Sequence, residues 1–538
     1  MGKNSVMTTG GTDPSPAQQT HLYIRKILPI LRLLKNSFMK LKYLLAVVIV
    51  GAAIQSRAQD LQGARPYADQ MTKESLKGNL TILASDALEG RETGKRGQKM
   101  AAAFIKSHFE ELGLAGPVSG DYFQPVHLYT SRPKDVYIKA GKETFNNFDK
   151  IVYYGASASE GEESVQVVFA GQGRREDFDQ INVEGKAVVV NVPGDGFRTP
   201  IALAREKKAK LVLLYSDDAT TFQMLMAQFK NYTSNGMLSV NKPENKPGTG
   251  VFFISPDVAP KLLGQSAEKL SKAAKADAAR KPLPKIKPAS LQYKVEMEVS
   301  VLKTENVLGY LEGTEKKDEV LVITSHYDHI GMETSGEDKI NNGADDDGSG
   351  TVAVMELAKV FAQAKKDGKG PKRSILFMTV TGEEKGLLGS DYYTQHPVFP
   401  LDKTVVNLNL DMIGRSDPQH KDSAPYVYVI GSDKLSSKLH ELSEAVNKST
   451  TNLIFDYTYN DQNHPDRLYY RSDHWNFAKN NIPIIFYFDG IHEDYHKPSD
   501  EVDKIEFDHL LKRAQLVFYT AWEIANREER IAADKAID

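Results

Sequence analysis

"EVLVITSHYDH", Glu319–His329, is the stretch on which the fold turns. Its first half is a short apolar run of buried-strand type, rich in β-branched residues. It ends in His326 and then Asp328. Three further runs repeat that plan. "RSILFMTV" is followed by "TGEE" with Glu383 and Glu384, "TVVNLNL" by Asp411, and "IPIIFYF" by a loop that reaches "DYHKPSD" with His496. The stretches "GTVAVMELAKVFAQAKK", "KLSSKLHELSEAVNK" and "FDHLLKRAQLVFYTAWEIAN" read as covering helices. Strand alternating with helix specifies an α/β domain, here a mixed, mostly parallel central sheet with helices on both faces. In such sheets ligands bind beyond the carboxyl ends of the strands. Four strand ends therefore send His, Glu, Asp and His to one edge, which is the composition of a metal centre.

A fifth element joins them. "NNGADDDGSG", Asn341–Gly350, sets three aspartates in a row at the N-terminus of the helix that follows. Adjacent carboxylates repel, so the run is either a solvated loop, a helix cap or a cation site. An EF-hand loop does not fit. With Gly348 at the loop's glycine position, Gly343 and Val354 stand where acidic ligands are required. There is no G-x-S-x-G elbow, P-loop or H-E-x-x-H motif. Imidazole and carboxylate ligands suit zinc. Two Zn²⁺ against Asp346, Glu384 and Asp411 leave one positive charge, which a bridging hydroxide cancels. Metals about 3.5–4 Å apart need such bridging anions. One aspartate of the run is therefore expected to bridge two zinc ions, while its neighbours hold the turn.

Composition limits the alternatives. The chain has 538 residues, 41% hydrophobic and 26% charged, with a net charge of −3, so no global field points to nucleic acid. It has no cysteine, which excludes disulfides, thiolate ligands and a cysteine nucleophile. "MKLKYLLAVVIVGAAIQSRAQ", from Met39, has basic Lys40 and Lys42, an apolar Tyr43–Ile54 stretch and a small-residue site ending at Ala58. It reads as a signal peptide, so residues 1–58 are expected to be an upstream extension and leader, with the mature chain periplasmic or extracellular. No later segment has the length and apolarity of a membrane span.

Between residues 136 and 253 the character is of short strands, "SVQVVFAG", "GKAVVVNV" and "AKLVLLYS", separated by turn residues. The basic, proline-ending "SAEKLSKAAKADAARKPLPKIKP", Ser266–Pro288, reads as a solvated helix and linker. "LQYKVEMEVSV" alternates so that Leu291, Tyr293, Val295, Met297, Val299 and Val301 share one face, as in a half-buried strand at the outside of a sheet. The expected organisation is residues 60–129 and 291–538 for the domain that carries the ligands, with 130–290 as a β-rich insertion and linker without chemistry.

"SHYDHIG", "NNGADDDGSGTVAVMELA", "TGEEKGLLGS", "NLDMIG" and "DYHKPSD" resemble, in order and spacing, the five metal motifs of the co-catalytic zinc aminopeptidase family. That family includes secreted bacterial aminopeptidases and glutamate carboxypeptidase II. "ILASDALEGRETG" is similar to the segment that opens its catalytic domain, and the middle region is similar to its inserted protease-associated domain. The resemblance implies a zinc exopeptidase-like fold, peptide substrates and two zinc ions per chain. It implies Asp346 as the bridge, His326 and Asp411 for one zinc, Glu384 and His496 for the other, and Glu383 as general base. Asp328 would accept the second N–H of His326 and fix its tautomer. Tyr469, in "YYRSDH", would face the substrate carbonyl, with Tyr470 beside it as the alternative.

On that reading zinc would supply a bound water with its pKa lowered toward 7 and a site for the oxyanion, and Glu383 would take the proton and pass it to the leaving amine. The leading reading is an aminopeptidase. A carboxypeptidase or dipeptidase of the same family and a glutaminyl cyclase-like transferase are the alternatives, and a non-catalytic relative of transferrin-receptor type would lack ligands that are present here. His329 is expected to lie at the surface or to support a ligand from behind. His464 and His474 read as structural, and Asp345 and Asp347 as turn-forming. His492, four residues before His496, lies in a loop where no helical His pair is implied. None of these motifs speaks to oligomeric state.

Overall fold

The computed structural model describes residues 61–155, 158–194, 196–234, 236–244, 248–276, 289–421 and 423–536. The expected leader, residues 1–58, and the tail of the linker, residues 277–288, lie outside the described residues. The chain divides into two units, Met1–Gln70 and Met71–Asp538. In the first, residues 61–68 are helical and the Asp69 N–H donates to the Arg65 carbonyl at 2.9 Å. Every chemistry-bearing residue named above lies in the second. No helix among the described residues is long and apolar enough to cross a membrane.

The strands of the second unit are β1 (Phe123–Ala140), β2 (Glu143–Asn146), β3 (Ile151–Tyr153), β4 (Glu162–Phe169), β5 (Ala187–Asn191), β6 (Leu211–Tyr215), β7 (Met237–Ser239), β8 (Gly250–Ile254), β9 (Ala289–Leu311), β10 (Lys316–His326), β11 (Arg373–Val380), β12 (Thr404–Leu410), β13 (Tyr426–Ile430), β14 (Ile454–Asp456) and β15 (Ile484–Phe488). They form one sheet in the order β14-β13-β15-β12-β10-β11-β9-β4-β5-β6-β8-β3, with β1 paired to β9, and β2 and β7 paired to β1. Four neighbours, β11, β10, β12 and β15, run parallel. From β10 the chain moves to β11 on one side and then to β12 on the other. The carboxyl end of β10, where His326 sits, is therefore a topological switch point.

Alternation within the buried strands feeds two helical layers. Phe377 of β11 faces Phe361 of helix Gly350–Lys366, which in turn packs on Phe518 and Trp522 of helix Phe507–Asn526. Leu376 and Met378 join Tyr393 and Phe477, from helices Leu388–Gln395 and His474–Ala478, on the opposite face. Helix Gly350–Lys366 is buried from Gly350 through Ala358, including Glu356, because it is covered on all sides. Ser75 and Lys359 satisfy the Glu356 carboxylate.

The middle region holds its own parallel run, β4-β5-β6-β8. Ala187 and Val189 pack with Leu262, Leu263 and Leu270 on one face, and Val188 and Val190 with Ile201, Leu203 and Ala204 on the other. Both expected boundaries fall inside strands. β1 runs unbroken through residues 129 and 130, and β9 through 290 and 291, so the two regions share one long antiparallel ribbon. The expected alternation holds at Leu291, Tyr293 and Val295, which are buried, but Val299 and Val301 are 41% and 52% exposed. β4 pairs with β9 only as far as Lys294, and β11 only from Val307. The stretch between them pairs only with β1, which β7 flanks at Tyr129–Ser131, so it is a narrow ribbon rather than the outer strand of a packed sheet.

Candidate metal centre

The parallel strands deliver the predicted residues to one edge. His326 is the last residue of β10, Glu383 and Glu384 follow β11 by three and four residues, and Asp411 directly follows β12. The loop after β15 returns with His496, held at φ +56. The aspartate run folds into the space between them and is buried throughout.

Asp347 and Asp345 build that turn. Asp347 Oδ1 accepts the N–H groups of Gly350 (2.9 Å) and Met412 (3.1 Å), and its Oδ2 accepts the His326 N–H (3.1 Å). One carboxylate thus caps the following helix and joins the ends of β10 and β12. Asp345 accepts the Gly414 N–H at 2.7 Å and lies 3.2 Å from His492 Nε2. The Asp500 carboxylate in turn accepts the N–H groups of Asp345 and Asp346. The peptide between Asp346 and Asp347 is cis.

Asp346 points the other way, with one oxygen toward each of two histidines. Its Oδ1 is 3.2 Å from His326 Nε2 and its Oδ2 is 3.1 Å from His496 Nε2. His326 Nε2 also lies 3.5 Å from Asp411 Oδ1 and 3.9 Å from Glu383 Oε2. His496 Nε2 lies 3.0 Å from Glu384 Oε2. The groups His326, Glu383, Asp411 and His329, Asp346, Glu384 each have the spacing to hold a metal ion. The donor set fits zinc on a further observation. The buried atoms His496 Nε2 and Glu384 Oε1 make no hydrogen bond, although charged partners stand within 3.0 and 2.7 Å of them. Such groups are costly to leave unpaired, and a cation would satisfy them.

Electrostatics separate the two adjacent glutamates. Burial raises the Glu383 carboxyl well above the usual range, and the carboxylates of Asp411, Glu384 and Asp473 add to this against His326. For Glu384, burial and Asp346 push upward, but His329 and His496 outweigh them and hold it at about 2. Asp346 is likewise held low against burial by His326 and His496. His496 rises to about 10 against burial through Asp346 and Glu384.

Two expectations need correction, and a third is narrowed. The Asp328 carboxylate does not take the second N–H of His326. That N–H meets the Asp328 main-chain carbonyl at 3.0 Å, while the nearest carboxylate oxygen is 3.9 Å away. The carboxylate is engaged elsewhere, by Thr93 Oγ1 at 2.7 Å and by the Glu383 N–H at 3.2 Å. Tyr469 does not reach the cleft. It is 2% exposed within a cluster with Tyr470, His474 and Trp475, while Leu468, its neighbour in the short helical turn Leu468–Tyr470, lines the cleft. Of the two places expected for His329, the surface or behind a ligand, the structure shows the second. The residue is fully buried, with Nδ1 2.7 Å from Glu384 Oε1.

His474 is structural. It is buried on Phe486, bonded to the Tyr469 carbonyl, and pushed by burial to about 3. His464 packs edge-on against Tyr459 away from the centre.

A cleft opens over the centre. Met412, Leu468, Phe486, Phe488 and Ile491 form an apolar wall, and Arg471 and Tyr495 complete it. Tyr495 stacks on His496 with ring centroids 3.9 Å apart. Burial raises its hydroxyl pKa, as do Asp346 and Glu384, so it keeps its proton. The sequence carried this residue in full view, next to His496 in "DYHKPSD".

Comparison with known proteins finds similar chains. Residues 306–521 match the sequence model of peptidase family M28. The chain is 28% identical over 235 residues to "Aminopeptidase YwaD" of Bacillus subtilis (strain 168), covering 42% of this chain and 46% of that protein. It is 37% identical over 125 residues to a "Probable zinc metalloprotease" of Pyrenophora tritici-repentis (strain Pt-1C-BFP), covering 22% and 24%. The chain thus spans less than half the length of these two curated relatives. The solved structure of an aminopeptidase from Aneurinibacillus sp. strain AM-1 aligns with a TM-score of 0.53 at 19% identity, over 88% of this chain and 98% of that one. At that identity the likeness is one of fold.

Proposed function

We propose that the chain is a zinc exopeptidase of peptidase family M28, whose sequence model matches residues 306–521, and that it removes N-terminal residues from peptides with two zinc ions. The observation that carries this reading is the position of Asp346, whose two carboxylate oxygens face His326 and His496 separately. His326 and Asp411 would hold one ion, His496 and Glu384 the other, with Asp346 between them. When bound, zinc supplies a Lewis acid and lowers the pKa of water toward 7.

The protein's own groups supply the remainder. Glu383 faces the His326 side of the centre, with proton affinity raised by burial, which suits a general base that later returns its proton to the leaving amine. The Asp328 carboxylate fixes Glu383 through its N–H. The Asp328 carbonyl keeps the His326 Nδ1 protonated, so that Nε2 is free for the metal. Tyr495, in the cleft wall with its hydroxyl protonated, takes the role expected of Tyr469 and would donate to the substrate carbonyl oxygen. The apolar wall supports a large apolar side chain on the residue removed.

Arg471 favours a second reading. A cation in the cleft wall suits a substrate carboxylate, as in a carboxypeptidase or dipeptidase. Hydrolysis of a panel of N-blocked and C-blocked apolar dipeptides separates the two. Cleavage that requires a free amine supports the aminopeptidase, and cleavage that requires a free carboxylate overturns it. The Lys40, Lys42 and apolar Tyr43–Ile54 pattern supports export, and the middle region is proposed to be a protease-associated domain without chemistry. Among the described residues, both metal-capable groups lie outside that region.

A further inference from the structure

We propose that Arg91 is a positioning residue for the metal centre, clamping the turn after His326 against the turn before Asp346 and so fixing the distance between those two side chains. This rests on the two-zinc reading above.

Arg91 lies outside every metal motif, in "ILASDALEGRETG", and is 1% exposed. Its guanidinium donates to four main-chain carbonyls. Nε reaches Tyr327 at 2.9 Å, Nη1 reaches Leu83 at 2.7 Å and Asn342 at 2.6 Å, and Nη2 reaches Gly343 at 2.9 Å. Tyr327 follows His326 directly, and Asn342 and Gly343 open the turn that carries Asp346. Asp347 also ties the aspartate turn to His326, through the His326 N–H, but Arg91 holds both turns from a third segment of the chain. The main chain adds a second set of ties. The Arg91 carbonyl accepts the His329 N–H at 3.1 Å, and the Gly90 carbonyl accepts the Gly331 N–H at 3.0 Å.

The segment is held in an unfavourable shape to do this. Arg91 sits at φ +49, a region that favours glycine. Gly90, at φ +64, packs so closely that a Cβ would stand 2.3 Å from the Gly331 carbonyl oxygen. Burial lowers the Arg91 pKa, and Asp346, Asp500, Asp328 and Asp347 partly offset this through space. None of those carboxylates takes one of the four bonds, so the guanidinium serves the backbone rather than an ion pair. A positive charge beside two bound cations is repulsive, so a role in metal binding has to come from the fork geometry. Lysine, with a single ammonium, cannot span four carbonyls in a plane.

The test uses the full chain as wild type, Arg91→Lys and Arg91→Gln. Zinc release is followed with a chromogenic chelator, and thermal unfolding is followed with and without zinc. Both variants are expected to release zinc at least ~10-fold faster, and to show a smaller zinc-dependent rise in Tm, since that rise scales with affinity. Wild-type release rates together with equal losses of Tm in both forms would make Arg91 merely structural. A lysine variant that behaves as wild type would also overturn the proposal, because charge alone would then suffice. Hydrogen exchange on the wild type covers the case in which variants do not fold. Zinc should protect residues 83–92, which contain no ligand, and unchanged exchange there contradicts the clamp. Failure of the wild type to hold two zinc ions would remove the reading beneath it. Normal wild-type zinc with unaltered variants would remove this inference alone.

Discussion

The Asp328 carboxylate accepts the main-chain N–H of Glu383 at 3.2 Å, so the turn after β10 anchors the turn after its neighbour β11. Beyond that anchor two adjacent glutamates face different partners. Glu384 lies between His329 and His496, while Glu383 faces His326. Glu383→Gln is predicted to keep its zinc and lower kcat by ~10²–10⁴-fold, the usual effect of losing a general base. Glu384→Gln is predicted to lose metal first. Metal analysis beside kcat for both variants checks this, and a Glu383→Gln protein that turns over normally sinks the assignment.

Tyr495 and Tyr469 should behave as opposites. Tyr495→Phe removes a donor from the cleft wall and should lower kcat by roughly 10²–10³-fold with zinc content unchanged. The Tyr469 hydroxyl has no hydrogen-bond partner among the described residues, so Tyr469→Phe should leave kcat within about twofold. The reverse pattern would restore Tyr469 to the site.

Much of this arrangement is legible in the sequence because it follows from strand ends. The apolar runs of β10, β11, β12 and β15 need no tertiary knowledge to be recognised, and the polar residue after each must emerge at one edge. What the sequence hides is side-chain direction. "YYRSDH" and "DYHKPSD" each offer a tyrosine, and only the helical turn at Leu468–Tyr470 sends Tyr469 inward. Asp328 two residues after His326 suggests a carboxylate–imidazole pair, but the turn presents its carbonyl instead. His329 stands in a polar motif, yet the Arg91 segment covers it. Burial made by a segment over 200 residues away leaves no local signature.

Asp473 yields a pH prediction. It is fully buried, bonded to Ser390, and raised to about 7 by burial, with Asp411 and Asp328 adding to this. An unfolded aspartate titrates near ~3.9. Between those values the folded protein binds the extra proton, so its stability falls as pH rises from about 4 to 7, by an amount of order 4 kcal/mol. Asp473→Asn can keep the Ser390 bond and should flatten that slope. Denaturant unfolding of the zinc-free protein at several pH values measures it, and equal slopes in both proteins count against the assignment.

The apolar wall predicts a substrate preference. Burying a leucine or phenylalanine side chain contributes about 1.5–3 kcal/mol, or roughly 10–100-fold in kcat/KM over aspartate at the same position. Chromogenic substrates that differ only in that residue report the ratio. Equal rates for leucine and aspartate would mean that Leu468, Phe486, Phe488 and Ile491 do not line the specificity site.

The bridging role of Asp346 is the centre of the account, and zinc stoichiometry of the wild type and Asp346→Asn tests it most directly. Elemental analysis after dialysis against trace zinc should give two ions per wild-type chain. The variant keeps the volume but loses the charge shared between His326 and His496, and it should fall below one ion per chain. A wild type that saturates at one zinc, or an Asp346→Asn protein that retains two, would contradict the account.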